Sequence, residues 1–567
     1  MLKPKFFSII KNRKKELPIT QLKDDIIAGI IVAIIALPLS VALAIASGVA
    51  PEKGLITAII GGFLISFLGG SRVQIGGPTG AFVVIVYGII AQFGLDGLLI
   101  STILAGIFMI IMGVVKLGSV IKYIPYPTTT GFTSGIAIVL LSTQVQDFFG
   151  LEIDEVPSEF IAKWEVYIQN FNTIDLSTTL VGLISLLIII VWPKINKKIP
   201  GSLIALVLVT LFVKVFNVPV ETIGSRFGNI SNSIQLIDFS SIDISLPIIK
   251  ELIRPALTIA FLASIESLLS AVVSDGMIGK KHNSNMELVA LGIANISSAL
   301  FGGIPATGAI ARTAANVKNG GRTPVAGIVH ALTLLLIMLV FMPLAKLIPM
   351  ATLAAILVIV AYNMSEWRSF KGIFYSTKSD VAVLLVTFVL TLLFDLVVAI
   401  EVGMIIAMFL FVKRMSENKL IENVSHELGI FTDDEDDESD ILDESLKEHL
   451  DSKIVIYEVN GPLFYGVVNT FLDMLNEMKS TTDVMILRMK NVNSMDATAL
   501  NAVKQLEKRC KVQNILILYS ETNTQPMNVL EKSGFVEKNG KDRFFDTTKD
   551  AIKAASEMVK ADRKSLL

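Results

Sequence analysis

The chain has 567 residues, 52% of them hydrophobic, and a mean hydropathy of +0.66, which excludes an ordinary soluble globular protein. Its net charge of −2 says little, because the charge is unevenly distributed; no nucleic-acid partner is expected. A single cysteine, Cys510, excludes an intramolecular disulfide framework and a zinc cluster built on thiolates.

The N-terminal stretch 1–20, "MLKPKFFSIIKNRKKELP" and the two residues after it, is basic and weakly apolar. It lacks a small-residue cleavage site before the first apolar run, so no cleaved leader is expected. Residues 21–415 read as a polytopic α-helical membrane domain. Apolar runs fall near 26–46, 54–69, 79–93, 97–115, 128–146, 176–193, 201–217, 252–274, 288–301, 306–317, 324–341, 343–361, 380–394 and 396–412. Two of the fourteen, 79–93 and 306–317, are too short to cross a hydrocarbon core of ~30 Å at ~1.5 Å per residue. Basic loops follow the even-numbered runs, with Arg72, Lys116, Lys194, Lys280, Lys281, Lys318 and Arg322 as examples. The positive-inside rule then predicts cytoplasmic termini in a multi-pass plasma (inner) membrane protein.

The two halves, 21–217 and 250–413, carry a common signal. "GGPTGAF" at 76–82 and "IPATGAI" at 304–310 share Thr-Gly-Ala at a shift of 228, with a proline close before it. Seven segments per half is an odd number, so the second copy must be inverted in the membrane. Short, Gly/Pro-interrupted segments at matching places in inverted halves point to a transport site. Helix-breaking backbone at membrane depth is tolerated only where it is buried in protein or lines a cavity. The half-helices are therefore expected to begin near Thr79 and Ala306, at mid-depth, approaching from opposite faces. Pro78 and Pro305 are expected in their first turns. Free N–H groups and the positive dipole ends would form an anion site. Thr79, Gly80, Ala81, Thr307, Gly308 and Ala309 are its expected residues. Arg312, about two turns into the second half-helix, adds a permanent cation. Its bland alternatives are snorkelling to the cytoplasmic face or a structural pairing with a carboxylate.

Glu266, in "FLASIESLLSAVVSDG", is central in an apolar run. A carboxylate there is costly when ionised, so it is a candidate for carrying a coupling proton. It can instead bind sodium together with Ser270, one turn on, or pair with Arg312. No metal site is expected at His282, since no second ligand lies at a useful spacing; "KKHNSNMEL" reads as a loop and a helix cap.

The acidic run 433–440 lies in a linker spanning 416–450, and 451–567 reads as a small α/β domain. Its strands are expected at 453–459, 484–489 and 515–520, alternating with helices near 467–479, 498–510 and 525–533. Asp496 and Thr498 fall at a strand-to-helix turn, where a cap is the plain reading and a phosphorylated hydroxyl the alternative.

"ALPLSVALAIASGVAPEKGL", "GGPTGAF", "IPYPTTTGFTSGIA", "SIESLLSAVVSDG", "HNSNMELVALGIANI" and "GGIPATGAIARTAANVKNGGRTPVAGIVHAL" together resemble the sulfate permease (SulP) family, bacterial counterparts of the animal solute-carrier 26 anion transporters. The tail resembles their STAS domain, with "MDATAL" at its characteristic turn; Ala497 and Ala499 depart from the usual form there. The resemblance implies a 7+7 inverted repeat with two half-helices. In it a core domain moves against a gate domain, commonly in a homodimer, and a small cytoplasmic α/β STAS domain follows. It implies anion binding between segments three and ten, and links Glu266 to cation coupling. The expectation is a secondary transporter, not an enzyme, for small inorganic or carboxylate anions such as sulfate, bicarbonate, chloride or dicarboxylates. Its partners are the anion and membrane lipid, and it needs no cofactor beyond a coupling proton or sodium ion. The alternatives are a nucleobase-type proton symporter of the same fold, and an anion channel or non-transporting voltage-responsive protein.

Overall fold

A computed structural model describes residues 3–12, 16–119, 125–196, 200–228, 230–238, 245–394, 396–417, 421–423, 453–463 and 482–565. The expected acidic run and the helix expected at 467–479 lie outside these residues. The chain forms two compact units, Met1–Ala407 and Met408–Leu567, so the division falls upstream of the one expected at 415.

Each of the fourteen expected segments contains a helix, some with shifted ends: α1 (Ile19–Ala46), α2 (Pro51–Leu68), α3 and α4 (80–93 and 95–114), α5 (Tyr126–Thr143), α6 (Leu176–Ile195), α7 (Gly201–Val215), α8 (Leu246–Ile278), α9 (Ser284–Leu300), α10 (Ile310–Lys318), α11 (Val325–Ala345), α12 (Met350–Met364), α13 (Lys378–Leu393) and α14 (Leu396–Glu417). Gly94, at φ 69° and ψ −172°, breaks one long apolar run into α3 and α4. That backbone suits glycine alone, so the break lies where the sequence places it. Leu187, Leu211, Leu336 and Val340 are exposed on helix exteriors, a surface that fits lipid.

The packing pairs repeat under exchange of the halves. α1 packs on α11, and its counterpart α8 packs on α4. α2 packs on α11 and α9 on α4; α5 packs on α13 and α12 on α6. Helices α1–α4 and α8–α11 thus form one layer around the chain crossing, the core, and α5–α7 with α12–α14 form the gate. Loop contacts fix which ends share a face. Lys5 N donates to Gly69 O (3.0 Å), Asn283 N to Gly70 O (3.0 Å) and Gln21 Nε2 to Gly320 O (2.9 Å). The N-terminal segment and the loops after α2, α8 and α10 therefore lie together. The loops after α7 and α11 meet separately, through Ile223 N to Ile348 O at 2.9 Å.

At the crossing, β1 (Gly76–Gly77) pairs antiparallel with β2 (Thr307–Gly308), with Gly76 opposite Gly308 and Gly77 opposite Thr307. Extended backbone inside a membrane must satisfy its polar groups within the protein. Here Ala309 N donates to Ile75 O (2.9 Å), and Ile75 N to Thr313 Oγ1 (3.1 Å). Asn295 clasps Ala306 through both its amide atoms, at 2.8 and 2.9 Å. A π-turn at Thr57–Gly61 in α2 presents Thr57 Oγ1 to Ile304 N at 2.7 Å. Such turns widen a helix locally and are frequent at functional sites.

The second unit is a five-stranded sheet, β3 (Ile421–Asn423), β4 (Ile454–Asn460), β5 (Val484–Asn491), β6 (Leu516–Ser520) and β7 (Phe544–Phe545), ordered by sequence. β3 is antiparallel to β4 and the remaining pairs are parallel. β3 falls within the stretch expected to be linker: three of its residues find a ladder partner on an otherwise open strand edge. α15 (Ala497–Val512) and α16 (Thr524–Lys532) cover one face and α17 (Thr548–Ser565) the other, which is why the central strands are continuously apolar. Asp496 caps α15, its Oδ1 accepting from Ala499 N at 2.8 Å, as the plain reading of "MDATAL" has it.

Candidate anion site

Both half-helices start at the crossing. Thr79 is the N-cap of α3 and Ala309 that of α10, and no side chain caps either end. First-turn amides at both ends are thus left for an acceptor from elsewhere, with the positive dipole ends behind them. The second start differs from expectation. It lies at Ile310, not near Ala306, because residues 307–308 are spent on the ladder with β1. Neither proline occupies a first helical turn: Pro78 precedes the N-cap of α3, and Pro305 precedes β2. Both lie in non-helical backbone ahead of their half-helices instead.

The late start moves Arg312 into the first turn of α10, where it is 3% exposed. Its Nη2 donates to Pro78 O at 3.0 Å, and its Nη1 is buried with no partner. Among the described residues no carboxylate lies within ion-pair distance of it, although Glu266 attracts it from farther off, and it does not snorkel to a surface. A guanidinium whose second arm is free beside the N-terminus of α3 is poised for an oxyanion. The arm sits against Gly77, where a Cβ would collide with Nη1. Gly308 is likewise crowded: a Cβ there would meet the Gln74 amide, which would have to give up its bond to Ser267 to make room.

Glu266, on α8, is half-buried, and its Oε2 accepts from Thr79 Oγ1 at 2.8 Å. The acid is thereby joined to the cap residue of the first half-helix. Ser270 is engaged elsewhere, its hydroxyl donating to Thr313 Oγ1 at 3.2 Å. Thr307 is fully buried and donates to Ala263 O at 2.7 Å, so its hydroxyl anchors β2 to α8. Thr79, Gly80, Ala81, Gly308, Ala309 and Arg312 lie around the crossing; Thr307 and Ser270 face supporting structure. Across from Gly80 stand Leu140 of α5 and Met364 of α12, so the gate layer closes the other side.

Gln74 is a site residue that the sequence reading missed. Its Nε2 donates to Ser267 Oγ (2.5 Å) and Ser267 O (3.2 Å), and its Oε1 is buried without a partner. Its only sequence signal is a lone amide two residues before Gly76 in an apolar stretch. His282 is a loop residue beside Asp275 Oδ2 (2.7 Å), and Asn283 caps α9 through Met286 N (3.2 Å), in line with the cap reading.

The comparisons agree with this architecture. Residues 22–387 match the model of the "Sulfate permease family", and residues 447–551 match "STAS domain". YvdB of Bacillus subtilis (strain 168) is 40% identical over 537 residues, covering 94% of this chain and 98% of that one. The "Bicarbonate transporter BicA" of Picosynechococcus sp. (strain ATCC 27264 / PCC 7002 / PR-6) is 31% identical over 558 residues, covering 94% of each. The inward-facing structure of the murine Solute Carrier 26 family member A9 anion transporter matches the fold with a TM-score of 0.83. It covers 98% of this chain and 94% of that one, at 17% identity. With two opposed half-helix ends at a chain crossing and a match across most of its length, the chain belongs to the sulfate permease family, a family of multi-pass membrane transporters rather than enzymes.

Proposed function

We propose that the protein is a secondary active transporter of small oxyanions, in the sulfate or bicarbonate class, with chloride and dicarboxylates as further candidates. The carrying observation is the unpartnered, buried Nη1 of Arg312 beside the uncapped start of α3. A second repeat supplies the matching uncapped start of α10. Planar two-pronged donation from arginine suits a carboxylate-like or tetrahedral oxyanion. A named relative carries bicarbonate, and the family is named for sulfate, which supports this class.

In this reading Thr79, Gly80, Ala81, Gly308, Ala309 and Arg312 bind the anion, and Thr307 holds β2 in place. Core helices slide against the gate to present the site to either face. Glu266 carries the coupling cation, a proton or sodium, because its hydrogen bond to Thr79 ties its charge state to the anion-binding helix end. Ser270, through Thr313, supports the start of α10. The protein works as a homodimer in the plasma (inner) membrane. The face shared by the N-terminus and the loops after α2, α8 and α10 is cytoplasmic, in keeping with its lysines and arginines.

The test is uptake of labelled sulfate or bicarbonate into liposomes holding the purified protein, with unlabelled chloride and dicarboxylates as competitors. Saturable, counterflow-competent uptake of at least one anion is expected. Absence of uptake and of competition across the panel overturns the proposal; unsaturable dissipation of a gradient would make the protein a channel.

A further inference from the structure

Tyr87 lies two turns beyond Thr79 on α3, on the side of the crossing away from the N-terminal face. Its ring rests on Gly48 at the end of α1, where a Cβ would stand 3.3 Å from Tyr87 Cδ2. Both elements belong to the core. Two further contacts of Tyr87 do not. Its hydroxyl donates to Val156 O at 2.8 Å, and the ammonium of Lys163 stands 5.9 Å from its ring centroid. Lys163 belongs to the helix Phe160–Gln169, which packs on the gate helices α5 and α13. Lys163 is only 2% exposed, and the ring is the one partner recorded for its ammonium among the described residues. A lysine so enclosed, with no carboxylate, is an expensive way to fill space. A cation over an aromatic face within about 6 Å recovers part of that cost, and only in this arrangement.

We propose that Tyr87 and the segment Val156–Lys163 form an outer latch: a two-point tie between the anion-binding half-helix and the gate, which holds the outer route to the site shut and must part before the site opens outward. The inference rests on the transport reading above. The tie joins a helix that moves with the anion to one that stays with the gate, so displacement of the core breaks both contacts together. Release also frees the Lys163 ammonium at the outer mouth of the route, where it attracts the incoming anion.

The test uses the full chain in intact cells, with Cys510→Ser and a reporter Gly88→Cys beside Tyr87, where a Cβ meets no atom within 4 Å. A membrane-impermeant maleimide is applied from outside and the rate of modification is measured. Tyr87→Phe keeps the ring and removes only the bond to Val156; Lys163→Gln removes only the cation. Each should raise the rate at least about fivefold, the population shift expected when one net hydrogen bond is lost. Lys163→Arg, which restores a cation over the ring, should return the rate to within about twofold of the parent. Equal rates in the parent, Tyr87→Phe and Lys163→Gln overturn the latch, and a rise in only one of the two overturns its two-point form. Anion flux is measured in parallel on the same proteins. Absent flux with the labelling differences intact removes the transport reading and leaves the latch standing.

Discussion

Arg312 of the second repeat donates to the carbonyl of Pro78 in the first, at 3.0 Å, and this bond spans the crossing of the two halves. The arginine is rooted in the first turn of α10, and its head lies at the N-terminus of α3. One half of the molecule thus supplies the cation and the other the helix end that it reinforces. The free Nη1 is the group that takes up the anion in the proposed reading.

Replacing Arg312 tests that division. Arg312→Ala should weaken anion binding by roughly 1.5–3 kcal/mol, the worth of a hydrogen bond to a charged group. Arg312→Lys should recover only part, because an ammonium cannot bond Pro78 O and an oxyanion in the same planar fork. Calorimetric titration of the detergent-purified protein gives the affinities, and a thermal melt shows whether the fold survives. Wild-type affinity in a well-folded Arg312→Ala protein would remove the residue from the site.

The crossing has almost no room. Gly308→Ala drives a Cβ into the Gln74 amide and should destabilise the membrane unit by about 1–3 kcal/mol, the range for overpacking a filled core. Gln74→Ala in the same chain removes the obstacle and should restore much of the loss. The thermal midpoints of the two single variants and the double variant form the measurement. Simple additivity would mean that the clash is not what makes Gly308 necessary.

The segment pattern was legible because lipid demands it: most of the segments are long, mainly apolar runs, and Gly94 breaks the continuous helix 80–114 into two. The Thr-Gly-Ala recurrence located the crossing for a related reason, since only small residues let two backbones meet there. The start of α10 was misread by a few residues because "ATGAI" has the composition of a helix start, while the ladder with β1 depends on a strand far away in the chain. Gln74 and Asn295 were invisible for the same reason. Gln74 matters through the Ser267 hydroxyl and carbonyl that it meets across the crossing, and Asn295 through the backbone of Ala306 eleven residues on, and no local pattern records those partners. The strand Ile421–Asn423 had no alternation long enough to read.

In the second unit, Cys510 should be inert. It is fully buried under the sheet, and burial, with Glu507 adding to it, pushes its thiol up to about 12. A raised thiol pKa leaves almost no thiolate at pH 8, and the thiolate is the nucleophile. Iodoacetamide should therefore leave the native protein unmodified over hours at pH 8, and modify one site per chain in denaturant. Asp496→Ala removes the cap of the helix that carries Cys510 and should cost about 1 kcal/mol, which speeds modification about fivefold if opening of α15 exposes the thiol. Rapid labelling of the native wild type would show that the thiol is reachable without opening.

On the proposed reading, Glu266 decides how transport is driven. Its carboxylate accepts from Thr79 Oγ1, so charge on α8 and the start of α3 are read together. An ionised carboxylate in an apolar span is costly, and it should be neutral or cation-bound in at least one transport state. If a proton is the coupling ion, Glu266→Gln holds the neutral form permanently. Exchange of anion for anion should then persist, while accumulation driven by a pH gradient is lost. Wild-type uptake should rise as external pH falls, since loading requires the neutral acid, and the variant should be flat across the same range. If sodium is the coupling ion, wild-type uptake should follow external sodium and be nearly indifferent to a pH gradient at fixed membrane potential. The variant should then lose the sodium dependence. Thr79→Val, which keeps shape but removes the donor, should weaken coupling while leaving Glu266 in place. Labelled anion uptake into liposomes under imposed proton or sodium gradients measures all three proteins. Gradient-driven uptake of equal size in wild type and Glu266→Gln would leave the residue as a structural acceptor for Thr79 alone, and the coupling site would have to be sought among the other buried acids of the core, Asp25 and Glu287. Both are already engaged by backbone amides, Asp25 by Arg322 N at 2.7 Å and Glu287 by Gly70 N at 2.7 Å, which makes either a poor exchanger of a cation within a transport cycle.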